Sequence, residues 1–94
     1  MNIATDAIAG SLESSDALVR VSPDEELQIE IKSTVMGQFG DQIRAVVEET
    51  LAKLGVTQGI VSVDDKGALD FVIRARIQAA CLRASGTKPD WSTL

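Results

Sequence analysis

The sequence predicts an α+β fold: a small mixed β-sheet, elements in the order β-β-β-α-β-α, with two helices packed on one face. Three observations carry this. Leu27, Ile29 and Ile31 alternate strictly with Gln28, Glu30 and Lys32, the signature of a half-buried strand. Apolar residues recur at helical spacing over 35–54 and again over 68–85, marking two amphipathic helices. Between them, residues 60–63 form a short, nearly all-apolar run, as expected for a strand inside a covered sheet.

The elements follow in order. Residues 1–6 read as a flexible lead-in. Strands are expected over 7–12 and 17–22, joined by a turn over 13–16. In that register Leu12 faces Ala17, Gly10 faces Val19 and Ile8 faces Val21, which puts the larger aliphatics on one side. The turn suits type I, which tolerates serine better than the primed two-residue turns do. Ser22-Pro23-Asp24-Glu25 reads as the next turn, with proline at its second position. In the first helix Phe39, Ile43, Val46, Val47, Thr50, Leu51 and Leu54 make one apolar face, and Gly55 is placed as its stop. Asp64 or Asp65 would cap the second helix, and Gly86 would end it. The segment from Leu27 to Val63 reads as a right-handed crossover joining parallel strands. Residues 87–94 read as a flexible polar tail in which Pro89 prevents further helix.

Composition narrows the function. At 94 residues the chain makes a single domain, 1–94, burying roughly two-thirds of its unfolded surface. Only Phe39, Phe71 and Trp91 are aromatic, so the core must be aliphatic. A formal net charge of −5 argues against nucleic acid, which wants a basic stripe, and against an anionic membrane surface. It suits docking to basic patches on other proteins. No apolar run approaches the ~20 residues of a membrane span, and the first ten residues lack a secretion signal. The single cysteine, Cys81, cannot form an internal disulfide, which fits a cytoplasmic location. With no histidine and no tyrosine, Ser-His and Cys-His nucleophile pairs and His-ligated metal sites are impossible within the chain. That inventory argues against autonomous catalysis.

The candidate chemistry sits at the first hairpin. The stretch Ala9-Gly10-Ser11-Leu12-Glu13-Ser14-Ser15-Asp16 puts two serines at its tip. Taken alone, the pair reads as turn residues, since serine hydroxyls bond locally to the backbone. Asp64-Asp65-Lys66-Gly67 lacks the alternating oxygen ligands of a calcium loop, and helix capping explains it more simply. In the second helix Leu69, Val72, Ile73, Ile77, Ala80 and Ala84 form the core stripe, with Cys81 at its edge as a core thiol. Arg76 projects along the margin of that stripe and should snorkel or pair with a carboxylate. Phe71, Ala75, Gln78 and Leu82 run down the opposite side, either as loose patterning or as a contact surface for another subunit.

With these residues in place, the chain resembles the acyl carrier proteins of citrate lyase, the small gamma subunits. Their motif runs Gly, small hydroxyl, Leu, Glu, Ser, Gly, Asp, matched here from Gly10 to Asp16 with Ser15 standing where the family usually has glycine. Further matches are Gln38-Phe39-Gly40-Asp41, Asp64 to Asp70 and Arg74-Ala75-Arg76, so the resemblance extends from Ile8 to Gly86. It implies a non-catalytic carrier whose fold is not the four-helix bundle of fatty-acid carriers.

The resemblance further implies covalent attachment of 2'-(5''-phosphoribosyl)-3'-dephospho-CoA through a phosphodiester to Ser14, with Ser15 the less favoured hydroxyl. No catalytic or metal-ligating residue is expected. A prosthetic-group transferase would attach the arm, because a serine without a nearby base is a poor nucleophile. A transferase (alpha) subunit would exchange acetyl for citrate on the arm, and a lyase (beta) subunit would release oxaloacetate. Carriers of citramalate lyase and malonate decarboxylase are related, and a small α+β adaptor without a prosthetic group is the competitor from another class.

Overall fold

The computed structural model describes residues 1–86 of the chain. Six elements form: β1 (Ala7–Gly10), β2 (Ala17–Ser22), β3 (Leu27–Ser33), α1 (Met36–Lys53), β4 (Gly59–Asp65) and α2 (Asp70–Ser85). The sheet order is β1-β2-β4-β3, with β2 antiparallel to both neighbours and β3 parallel to β4. This is the α+β arrangement expected, and it is not a helical bundle. The last eight residues, with the expected tail, lie outside the described residues.

Alternation decides which face of the sheet is covered. Along β4, Gly59, Val61, Val63 and Asp65 are buried while Ile60, Ser62 and Asp64 are only partly so. Along β2, Ala17, Val19 and Val21 point the same way. Both helices cover that face, α2 over β1 and β2, and α1 against α2 and β3. The core joins Val19, Val21, Val61 and Val63 of the sheet to Ile43, Val47 and Leu51 of α1 and to Ile73, Ile77, Ala80, Cys81 and Ala84 of α2. Burial pushes the Cys81 thiol pKa up to about 11, so it is a protonated core residue at neutral pH.

The β1–β2 register differs from expectation by one residue. Ala7 pairs with Val21, Ile8 with Arg20, Ala9 with Val19 and Gly10 with Leu18. Ala9 is therefore buried, while Ile8 is 49% exposed and Leu12, beyond the end of the strand, is 53% exposed. The cause is size. The α2 helix lies directly on β1 and β2, so the inward positions take the small side chains of Ala7, Ala9 and Ala17, and Ile8 is turned out. On the outward edge of β1, Arg83 Nη1 donates to the Ile8 carbonyl at 2.7 Å, occupying an acceptor that would otherwise be open.

In α1 the buried stripe is Gly40, Ile43, Val46, Val47, Thr50 and Leu51, with Phe39 outside it at 46% exposure, against expectation. Phe39 lies in the first turn of α1 beside an open cavity, and Gly40 takes the buried position there. The buried Thr50 hydroxyl is satisfied by donating to the Val46 carbonyl at 2.7 Å. The helix closes through Leu54 N–H to Thr50 O and Gly55 N–H to Ala52 O, with glycine at the expected stop. Residues 1–6 are tied down rather than loose: Ile3 is buried, and the Ala4 and Thr5 amides both donate to the Ala84 carbonyl.

Because Leu51 is 1% exposed at the centre of the α1 stripe, Leu51→Ala should cost roughly 2–5 kcal/mol. Ser14→Ala, at an exposed turn, should stay within about 0.5 kcal/mol. Urea melts of the two variants check this; comparable large losses would give Ser14 a structural role.

Candidate functional site

The hairpin loop between β1 and β2 is the site the sequence singles out, and its shape rests on one carboxylate. Arg76, from the middle of α2, reaches back with Nε to Asp16 Oδ1 at 2.9 Å and Nη2 to Asp16 Oδ2 at 3.0 Å. Such a two-point fork fixes orientation as well as distance. The same carboxylate accepts the Ser11 hydroxyl at 2.7 Å and the Ala17 amide at 2.8 Å. Arg76 thus pairs with a carboxylate, as its position at the stripe's margin suggested. Ser11, which the sequence offered only as a motif residue, closes the base of the loop, and its oxygen also accepts the Glu13 amide.

Gly10 makes room for this arrangement. Its φ is +94°, and an added Cβ would sit 1.8 Å from the Ala17 carbonyl oxygen and 3.1 Å from Arg76 Cδ. Only glycine lets the chain leave β1 here while the arginine stem passes over it.

The tip itself is a turn across residues 13–16, closed by the Asp16 amide donating to Glu13 O at 3.1 Å. Ser15 has φ +67°, alone among the described non-glycine residues in being positive. A positive φ at the third position alone is the type II pattern, so the type I expectation is corrected. The reason is an outside tether: the Ser15 amide donates to the Lys66 carbonyl at 2.8 Å, and the Lys66 amide returns a bond to Asp16 O at 2.9 Å. Pairing with the β4–α2 loop overrides the intrinsic preference of serine. Ser14, between Glu13 and Ser15, is exposed, and among the described residues nothing bonds its hydroxyl.

The β4–α2 loop is rigid for its own reason. Asp65 is 1% exposed, and its carboxylate accepts the Ser33 hydroxyl at 2.7 Å, the Gly67 amide at 3.1 Å and the Ala68 amide at 2.8 Å. It does not cap α2, whose N-cap is Leu69 without a side-chain bond. Asp64 does not cap it either; it faces Lys66 Nζ at 3.4 Å. The Asp-Asp-Lys-Gly run is a loop brace that ties the end of β4 to the end of β3 and presents Lys66 to the serine loop.

Electrostatics agree with the geometry. The Arg76 bonds, then the Ser11 and Ala17 bonds, hold the Asp16 carboxyl far below the usual carboxylate range. Arg76 is correspondingly raised by Asp16. Asp16 is therefore ionised and fully committed, which makes it a poor general base for Ser14. Among the described residues no group of three acidic or thiol side chains is arranged to hold a metal ion. On the second helix, Phe71 and Ala75 are exposed as one of the two expectations had it, but Gln78 and Leu82 are half-buried. The exposed apolar surface runs instead from Leu69 and Phe71 to Phe39 of α1, which periodicity within a single helix could not show.

Comparison with known proteins places this α+β domain among acyl carriers. The family described as "ACP: Malonate decarboxylase delta subunit (MdcD)" matches residues 4–84. A chain in the crystal structure of a Pseudomonas malonate decarboxylase hetero-tetramer in complex with malonate shares the fold, with a TM-score of 0.75. It is 21% identical, and the match covers 87% of this chain and 86% of that one. Much nearer are citrate lyase acyl carrier proteins. Those of Enterobacter sp. (strain 638) and Pectobacterium carotovorum are each 57% identical over 96 residues, covering all of this chain and 99% and 100% of theirs. That of Haemophilus influenzae is 53% identical over 94 residues, covering all of this chain and 99% of its own. The chain belongs to the citrate lyase acyl carrier protein family.

Two outcomes test the site's construction. Ser15→Gly relieves the left-handed serine and should stabilise the domain by about 0.5–1 kcal/mol, net of the entropy that glycine adds to the unfolded chain; a loss of stability in thermal melts would contradict this. The pH prediction follows from a folded pKa below the unfolded one. The contribution of Asp16 is present above the unfolded value near 4 and is lost only as pH falls through the much lower folded value. In carboxyl NMR, Asp16 should show no titration step between pH 6 and 3 in the wild type, and Arg76→Ala should bring one into that window.

Proposed function

We propose that this chain is the covalent, non-catalytic carrier subunit of a citrate lyase complex, with Ser14 as the attachment residue for 2'-(5''-phosphoribosyl)-3'-dephospho-CoA. The observation that carries the reading is a contrast within one loop. Asp16, Ser11 and the Ser15 backbone amide are held, whereas the Ser14 and Ser15 hydroxyls are both exposed and unbonded, and of these two Ser14 stands at the position that follows Leu12-Glu13 in the motif.

The loop is held at its base by Arg76, through its fork to Asp16, and by the backbone of Lys66. When attached, the group supplies a terminal thiol on which an acyl group can be held as a thioester. The protein's own part is to hold the attachment point out from the body and keep it rigid at its base. A tethered group meets two partner sites at high effective concentration instead of by free diffusion. Because Asp16 is committed to four donors, Ser14 is not activated from within, and a prosthetic-group transferase performs the attachment.

The working partners on this reading are the transferase (alpha) and lyase (beta) subunits, in the cytoplasm. The 53–57% identity to citrate lyase carriers supports that complex over others. The family description and the decarboxylase structure favour malonate decarboxylase as the second complex to test, at far lower identity.

Intact-mass measurement after co-expression with the prosthetic-group transferase decides the site. Wild type and Ser15→Gly should gain the mass of the arm and complement a carrier-less lyase, and Ser14→Ala should do neither. Full modification of Ser14→Ala would refute the assignment, and no mass gain in any form would favour an adaptor.

A further inference from the structure

We propose that the apolar surface made by the first turns of the two helices is the docking face of the carrier, and that it receives a bulky apolar side chain set within a ring of lysine and arginine on a partner subunit. Met36 and Phe39 of α1 are 42% and 46% exposed, and Leu69 and Phe71 at the start of α2 are 63% and 65% exposed. Phe39, Leu69 and Phe71 line a cavity of about 500 Å³ together with Val35 and Ile43. A small domain with an otherwise aliphatic core gains nothing by leaving two phenylalanines in water. Well-packed apolar pockets ringed by polar groups are where binding energy concentrates at interfaces.

The position of this face ties it to the serine loop. Gly67 and Ala68 line the cavity, and the residue before them, Lys66, exchanges backbone hydrogen bonds with Ser15 and Asp16. Two Cα–Cα steps and one such bond separate Ser14 from Gly67, so their Cα atoms are at most about 14 Å apart. A subunit seated on the face therefore reaches the root of the arm.

Charge selects the occupant. The charged side chains that line the cavity are Asp65 and Asp70, both carboxylates, with Asp41 exposed on the same turn of α1; of the nearest cations, Lys66 faces Asp64, Arg44 pairs with Glu48 and Arg74 lies in range of Glu49. A cationic rim complements this face. A second copy of the chain would oppose carboxylates to carboxylates across a two-fold axis, and anionic membranes are repelled.

The choice of probe rests on the citrate lyase reading. Calorimetric titration of the carrier into purified citrate lyase transferase and lyase subunits, at low and high salt, tests the face. Intact mass of the same samples tests the carrier assignment separately. The double variant Leu69→Ser/Phe71→Ser should weaken binding to at least one subunit tenfold or more. Asp41→Lys should weaken it at low salt and converge with wild type at high salt. Glu30→Lys, on the open sheet face, should bind as wild type, and all variants should keep their melting temperature and their modification at Ser14. Wild-type affinity in both the double and the Asp41 variants would overturn the docking face, as would absence of binding by fully modified wild type. Self-association abolished by the double variant would assign the face to a second copy and also overturn the proposal. Docking without any mass gain would leave the face standing and overturn the carrier reading.

Discussion

The Asp16 carboxylate is the point on which the site depends. It takes the guanidinium of Arg76 from α2, the hydroxyl of Ser11 from one side of the hairpin and the amide of Ala17 from the other. Each donor alone would leave the loop a hinge. Together they fix both ends of the loop against the helix that covers the sheet. An exposed ion pair is ordinarily worth little, but bidentate geometry and a shared network are the conditions under which one specifies a conformation.

Asp65 plays the matching role one loop away. Its buried carboxylate draws Ser33 and the amides of Gly67 and Ala68 together, so the end of β3 and the lead-in to α2 meet around one anion. The two braced loops then share backbone bonds through Lys66. The result is a rigid end of the molecule that carries both the projecting serine and the exposed apolar face. A carrier has two tasks, to present an attached group and to be held while others act on it. Here both fall on one end.

Strain at the tip has a physical source in this design. Ser15 adopts the left-handed conformation because its amide must reach Lys66 while Asp16 stays in its fork. Glycine would meet that demand without strain, and it is the residue that the resemblance associates with this position. The local rule is broken where the tertiary contacts converge.

Much of the architecture was legible along the chain. The alternation through β3, the apolar stripes of α1 and α2, the glycines that stop both helices and the apolar run of β4 each reflect a short-range period, and each element formed where its period predicted. The Gly-Ser-Leu-Glu-Ser motif pointed to the serine loop for the same reason: its residues are neighbours in sequence. What the chain order did not disclose depended on contacts between distant residues. The β1–β2 register followed from the closeness of α2, which demanded alanine inside where hydrophobicity alone favoured Ile8. Asp65 became a brace because Ser33 lies beside it across the sheet. The partner of Arg76 proved to be Asp16, 60 residues away. Phe39 and Phe71 share one exposed surface because packing set two helix starts side by side. Periodicity reports which way a side chain faces along its own element; only the folded molecule decides what it faces.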